Sequence, residues 1–313
     1  MTSAVGVRPK KSAGSLPPGS GLGGKHDRPR DRALRGALHT FLGLTCLVWI
    51  APLLWAVYAS LRSYDDTAQH GYFSLPSKLT FANFAKAWTS ADLPHYYLNT
   101  LLITIPALLI TLLFSSLVAF CVSRFNFKFN LALLMLFTAG NLLPQQVIIV
   151  PIYRLFLLTP VPSWLSDSGY LLDSQFGLVL VHVAFQTGFC TFVLSNYMKT
   201  IPHELTEAAR VDGASVFRQY WQVILPLCRP ALAALGTLEF AWIYNDFMWA
   251  IVLIQTGDKM PITSALASLS GQFFTDYNLV AAGSLLTALP SLIVFFVLQR
   301  QFIGGLTLGS TKG

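Results

Sequence analysis

Charge is scarce in this chain. Only 11% of its 313 residues are Asp, Glu, Lys or Arg, 54% are hydrophobic, and the mean hydropathy is +0.56. A soluble globular domain carries about 25% charged residues, so that class is excluded and an integral membrane protein is left. Cysteine is also rare. Cys46, Cys121, Cys190 and Cys228 lie far apart, in or beside apolar runs and without a CxxC pair. That excludes a disulfide scaffold or a zinc site, and they read as small buried hydrophobes. His182 and His203 lack the company that a metal site or a nucleophile–base pair needs, so no metal ligand and no catalytic residue is assigned. An alternating lipid-facing pattern is missing too, which excludes a membrane barrel.

What is present is a series of long apolar runs. With about 20 residues needed to cross a bilayer, six spans are expected: 39–61, 97–122, 131–156, 176–198, 230–254 and 279–302. Residues 1–35 are a separate regime of Gly, Pro, Ser, Lys and Arg, expected as a disordered basic tail. Its Gly19 to His26 stretch resembles a phosphate loop but carries His26 where Ser or Thr should bind magnesium. The chain is therefore not read as an ATPase. Residues 36–313 are expected to form one six-helix transmembrane domain, with a loop at 199–229.

Lys and Arg decide the orientation. The N-tail, the 123–130 link, the 199–229 loop and the C-tail hold 16 of them, against 5 on the other side. Both termini and that loop are therefore expected in the cytoplasm of a cell-membrane protein. The segment 62–95 is expected as an exposed loop with short helical pieces, and 255–278 as a second loop on the same side. Inside the third span, Pro144 and Pro151 open the helix beside Gln145 and Gln146, a solute path or helix–helix glue. The fifth span carries Glu239 and Asp246, ionisable groups costly in a bilayer. Trp242, Tyr244, Phe247 and Trp249 around them offer aromatic faces for a solute or for packing, and Asn245 and Asp246 suit either solute contact or a helix interface. His182 is expected in a core helix contact.

The charged island between the fourth and fifth spans carries the most information. Thr200-Ile-Pro-His-Glu204 reads as a helix start with Pro202 in the first turn, and Asp212-Gly213 as its end. A second amphipathic piece follows, with Val216, Tyr220 and Val223 or Ile224 on one face, until Pro226 ends it. Glu207-Ala208-Ala209, then Gly213, then Ile224-Leu225-Pro226 resembles the "EAA loop" of ABC importer permeases. From the first span onward the chain resembles the carbohydrate-importing branch, the group containing the smaller permease subunit of the maltose transporter; Asn245-Asp246-Phe247 and the Gln299 to Gly313 tail also match.

That resemblance implies an all-α, type I ABC importer permease fold and a subunit that couples ATPase motion to solute passage. Glu207, Ala208, Ala209, Asp212, Gly213, Leu225 and Pro226 would dock on the ATPase; Gln145, Asn245, Asp246 and Trp249 would line the solute path or face the second permease. Implied partners are that second permease, an ATPase pair, an extracytoplasmic sugar-binding protein and membrane lipid, with no nucleic acid. ATP and magnesium belong to the ATPase and no cofactor to this chain. The competing class is a secondary transporter relaying ions or protons through Glu239 and Asp246, which internal repeats with paired broken helices would support. None is seen.

Overall fold

The computed structural model describes residues 29–142, 144–269 and 275–307. The expected disordered tail lies outside them up to residue 28, but a helix, α1 (Pro29–Ser60), already starts inside the 1–35 boundary. Pro29 opens it, at the position where a missing N–H costs nothing.

The chain divides into two compact units, residues 1–53 and 54–313. In the first, α1 is exposed on nearly every side, with Phe41, Val48 and Trp49 open. A helix that is apolar all round suits lipid or a neighbouring helix, not water.

The second unit is built on α4 (Leu93–Arg124) and α7 (Gln175–Thr200), which pack along each other. The buried face of α4 is made of small residues: Thr104, Ala107, Thr111, Ser115, Ser116 and Ala119. Small side chains let helix backbones approach where lipid offers no hydrophobic drive for association. Ser115 donates to the Thr187 carbonyl of α7 at 3.1 Å. Against this pair stand α5 (Asn130–Leu142) and α11 (Arg229–Tyr244), and α14 (Tyr277–Thr307) packs on α11. Buried Phe120, Leu194, Met198, Tyr220 and Ile224 fill one end of the core, and Ile103, Leu178, Trp249 and Leu253 the other.

Among the described residues four helices are long and apolar enough to cross a membrane, and two bent pairs, 130–140 with 145–158 and 216–227 with 229–244, bring the number to six if each counts as one span. The third span is opened at Pro144, as expected, but not at Pro151, which lies inside the continuous helix 145–158. α5 and α6 (Gln145–Leu158) meet at 93°, because Pro144 takes extended angles at the start of α6. The expected fifth span is also interrupted. It stops at Tyr244, turns through Asn245 to Phe247, and resumes as the short α12 (Met248–Leu253).

Between α1 and α4 lie α2 (Tyr64–His70) and α3 (Ala82–Ser90), the short helical pieces expected there. Arg62, 1% exposed, ties this stretch together. It donates to Asp66 at 2.8 Å and to the Gly71 carbonyl at 3.1 Å, and lies 5.4 Å over the Tyr58 ring. The Ser77 hydroxyl, and after it Arg62, hold the Asp66 carboxyl down at about 2.

Candidate functional site

The charged island folds as α8 (Glu204–Val211), a turn, α9 (Val216–Arg218), a π-helical stretch Gln219–Ile224 and α10 (Leu225–Leu227). Pro202 is not in the first turn of α8; it lies just before the N-cap His203. Glu204 and Glu207 occupy that first turn, at the positive end of the helix dipole. Asp212 ends α8, and Gly213 takes φ 76°, a left-handed angle that glycine adopts without steric cost. Ala214 N then bonds the Ala209 carbonyl at 2.9 Å, and Ser215 caps α9 through the Arg218 N–H at 3.3 Å.

Pro226 does not end the second piece, which winds on to Leu227 before a 74° bend into α11. The π-helix gives the reason. Its wider turns have already given up the i→i−4 register, with Leu225 N bonding Tyr220 O, so the missing N–H of Pro226 breaks nothing further.

The assembled island presents an outward face. Glu207, Ala208, Asp212 and Gly213 are exposed, as are Leu205, Val216 and Val211, the last at 88%. Phe217 and Trp221 stack nearly parallel, 6.3 Å apart, and stay open. Leu225 and Pro226 are half-buried behind them. The inner face is anchored: Tyr220, 2% exposed, shares a 2.7 Å hydrogen bond between hydroxyls with Ser116 of α4. Arg124 holds the adjoining end of α7 through the Met198 and Ile201 carbonyls at 2.9 and 3.1 Å. In sequence Arg124 was only part of a basic link.

At the opposite end of the bundle two loops are laced together. Asp173 accepts from Gln255 N at 2.8 Å, Thr256 N at 2.9 Å and the Thr256 hydroxyl at 2.6 Å. Burial pushes its carboxyl up, but these bonds and Lys259 outweigh that and hold it below the usual range. Lys259 reaches Asp167 at 2.9 Å, while Asn99 takes the Asp258 and Met260 carbonyls at 2.6 and 3.1 Å. This part of the 255–278 loop is rigidly based on α4 and α7.

Between the two ends lies an open cavity of about 580 Å³. Gln145 lines it from the start of α6, and Asn245 and Asp246 from the α11–α12 break, so three of the four residues expected on a solute path meet there. Trp249, the fourth, does not. It is 1% exposed, stacked on Phe185 at 5.4 Å. Asp246 also shapes the backbone, since its carboxylate accepts from Trp249 N at 3.4 Å and Ala250 N at 3.2 Å and so caps α12. Its own carbonyl accepts from Thr263 at 2.5 Å.

Two lining residues escaped the sequence reading. His182, expected as a core contact, is buried but borders the cavity with Nε2 3.7 Å from Asp246. Gln186, one helical turn further along α7, lines it too. Their i, i+4 spacing put them on one face, the only available signal. Glu239 is elsewhere, fully buried, accepting from Cys190 Sγ at 3.1 Å.

An all-helical bundle with broken spans around a polar cavity and an anchored, outward-facing helix pair at one end defines a membrane transport subunit. Residues 111–302 match the family "Binding-protein-dependent transport system inner membrane component", and the chain belongs to it as a multi-pass permease. Among its relatives are the diacetylchitobiose uptake system permease of Streptomyces coelicolor, 31% identical over 90% of both chains, and the melibiose/raffinose/stachyose import permease of Bacillus subtilis, 30% identical over 84% of this chain and 91% of that one. A chain from the crystal structure of a bacterial ABC transporter importing alginate shares the fold, with a TM-score of 0.75 and 23% identity, covering 88% of this chain and 98% of its own length.

Proposed function

We propose that this chain is the permease subunit of an ATP-driven importer of sugars or oligosaccharides, working beside a second permease, above an ATPase pair and below an extracytoplasmic sugar-binding protein. The observation that carries this reading is the island. Exposed apolar side chains at Val211, Phe217 and Trp221 have no use in water, and they flank the exposed Glu207 and the glycine turn. In this reading Ala208 and Ala209 keep the surface small enough to enter a cleft on the ATPase, with Glu207 and Asp212 at its rim. Leu225 and Pro226 lie where the island passes into α11. Because Tyr220 is bonded to Ser116, a push on α8 is transmitted to α4. ATP and magnesium sit on the ATPase, and both termini and the island face the cytoplasm.

The sugar cargo rests on the relatives, among which are permeases for diacetylchitobiose and for melibiose, raffinose and stachyose. The laced loops at 159–174 and 255–261 are the surface offered to the binding protein.

The test is affinity purification of the chain from its native membrane in mild detergent, as wild type and as Glu207→Arg. Wild type is expected to bring down an ATPase and a second permease, and the variant to retain the permease and lose most of the ATPase. A wild-type chain that comes out alone overturns the reading.

A further inference from the structure

The cavity between the helix breaks has chemistry of its own. Backbone that leaves helical geometry at membrane depth is tolerated only where protein buries it or where it borders a polar cavity, and in transporters interrupted helices meet at the solute. Here two of the interruptions, those before α6 and before α12, open on one space. The 93° break before α6 brings Gln145 to it, and the break before α12 brings Asn245 and Asp246. From α7, His182 and Gln186 face the same volume.

The lining is specific in charge. Among the described residues bordering the cavity there is no Lys or Arg; Asp246 carries the one carboxylate, opposite His182. The start of α6 contributes the partial charge of a helix terminus, about +0.5, which does not cancel a full carboxylate. With His182 neutral the site is negative, and with His182 charged it is near balance. In neither state does it hold the guanidinium or ammonium that carboxylate or phosphate recognition uses. Three amides, Gln145, Gln186 and Asn245, offer donors and acceptors together, as vicinal hydroxyls require. Trp242, 46% exposed, and Phe247, 42% exposed, supply open aromatic faces, and the Trp242 ring is steadied by Phe189 at 5.4 Å. The volume falls in the ~300–1,000 Å³ range of small-molecule sites.

The geometry points to a solute subsite on this subunit for an uncharged sugar: a ring stacked on Trp242, hydroxyls read by Gln186 and Gln145, and anionic sugars rejected. This rests on the importer reading and deepens it, because it assigns part of the selection to the permease itself. Asp246 acts in it as the charge that repels anions while capping α12.

The experiment uses the full complex in proteoliposomes: this permease, its partner permease, the ATPase pair and the binding protein. Four labelled probes are offered, raffinose, diacetylchitobiose, an alginate trisaccharide and glycerol phosphate, and ATP hydrolysis is followed in parallel. Wild type is expected to take up at least one of the two neutral sugars and neither anion. Trp242→Ala and Gln186→Ala are each expected to lower that uptake about tenfold, with hydrolysis stimulated by the loaded binding protein retained. Trp242→Phe, which keeps an aromatic face, is expected to recover most of it. Unchanged uptake in both alanine variants, uptake of either anion, or uptake of no neutral sugar overturns the subsite. Loss of stimulated hydrolysis already in wild type would sink the importer reading and the subsite with it.

Discussion

Gly177 shows how little room the bundle leaves. A β-carbon added there would lie 2.6 Å from the Leu171 carbonyl oxygen and 3.1 Å from the Phe156 ring. The ring can turn, but the carbonyl belongs to a backbone fixed by Leu171 N bonding Thr159 O at 2.9 Å. Gly177→Ala is therefore expected to destabilise the purified protein by about 1–3 kcal/mol, the cost of overpacking, seen as a lower midpoint in detergent thermal unfolding; an unchanged midpoint contradicts the packing. Nothing in the sequence marked Gly177, since a glycine near a helix start reads the same whether or not a carbonyl faces it. Gly213 was legible, because Asp-Gly after a charged amphipathic turn has one common backbone solution. The same asymmetry governs the cavity. Asn245 and Asp246 stood out as polar residues in an apolar run, whereas His182 and Gln186 needed the neighbouring helices to show what they face.

At the scale of elements, the opening expected at Pro144 in the third span is there, while the fifth span was read as continuous and is broken. Apolar composition fixes that 131–156 and 230–254 lie in the bundle, but it carries no signal for the angle at Pro144 or for where α11 stops. Asp246 decides the latter: by taking the Trp249 and Ala250 N–H groups it starts a new helix. Removing that cap is expected to cost about 1 kcal/mol, so Asp246→Ala should lower the unfolding midpoint, while Asp246→Asn, whose amide oxygen can still accept, should stay close to wild type. Equal midpoints for Asp246→Ala and wild type would mean that α12 is held by packing alone. The π-helix is the other feature hidden from the sequence. Pro226 looked like a terminator because an α-helix was assumed before it.

For the molecule as a whole, the charge pattern makes a claim that geometry alone does not. The bundle has one end with α8 and the Arg124 clamp and another with the Asp173–Lys259 lacing, and along the sequence Lys and Arg concentrate in the N-terminal tail, the 123–130 link and the island. On the positive-inside rule the end with α8 is expected in the cytoplasm. Cysteine accessibility checks it, since Cys190 and Cys228 are buried and only the exposed Cys46 and Cys121 need replacing by serine. In that background Ala68→Cys and Ser163→Cys, both at exposed positions of the far end, are expected to react with a membrane-impermeant maleimide in intact cells. Arg210→Cys, exposed on α8, is expected to react only once the membrane is opened. The reverse pattern would place the island outside, where no ATPase can reach it, and the coupling role of Glu207 and Gly213 would fall with the orientation.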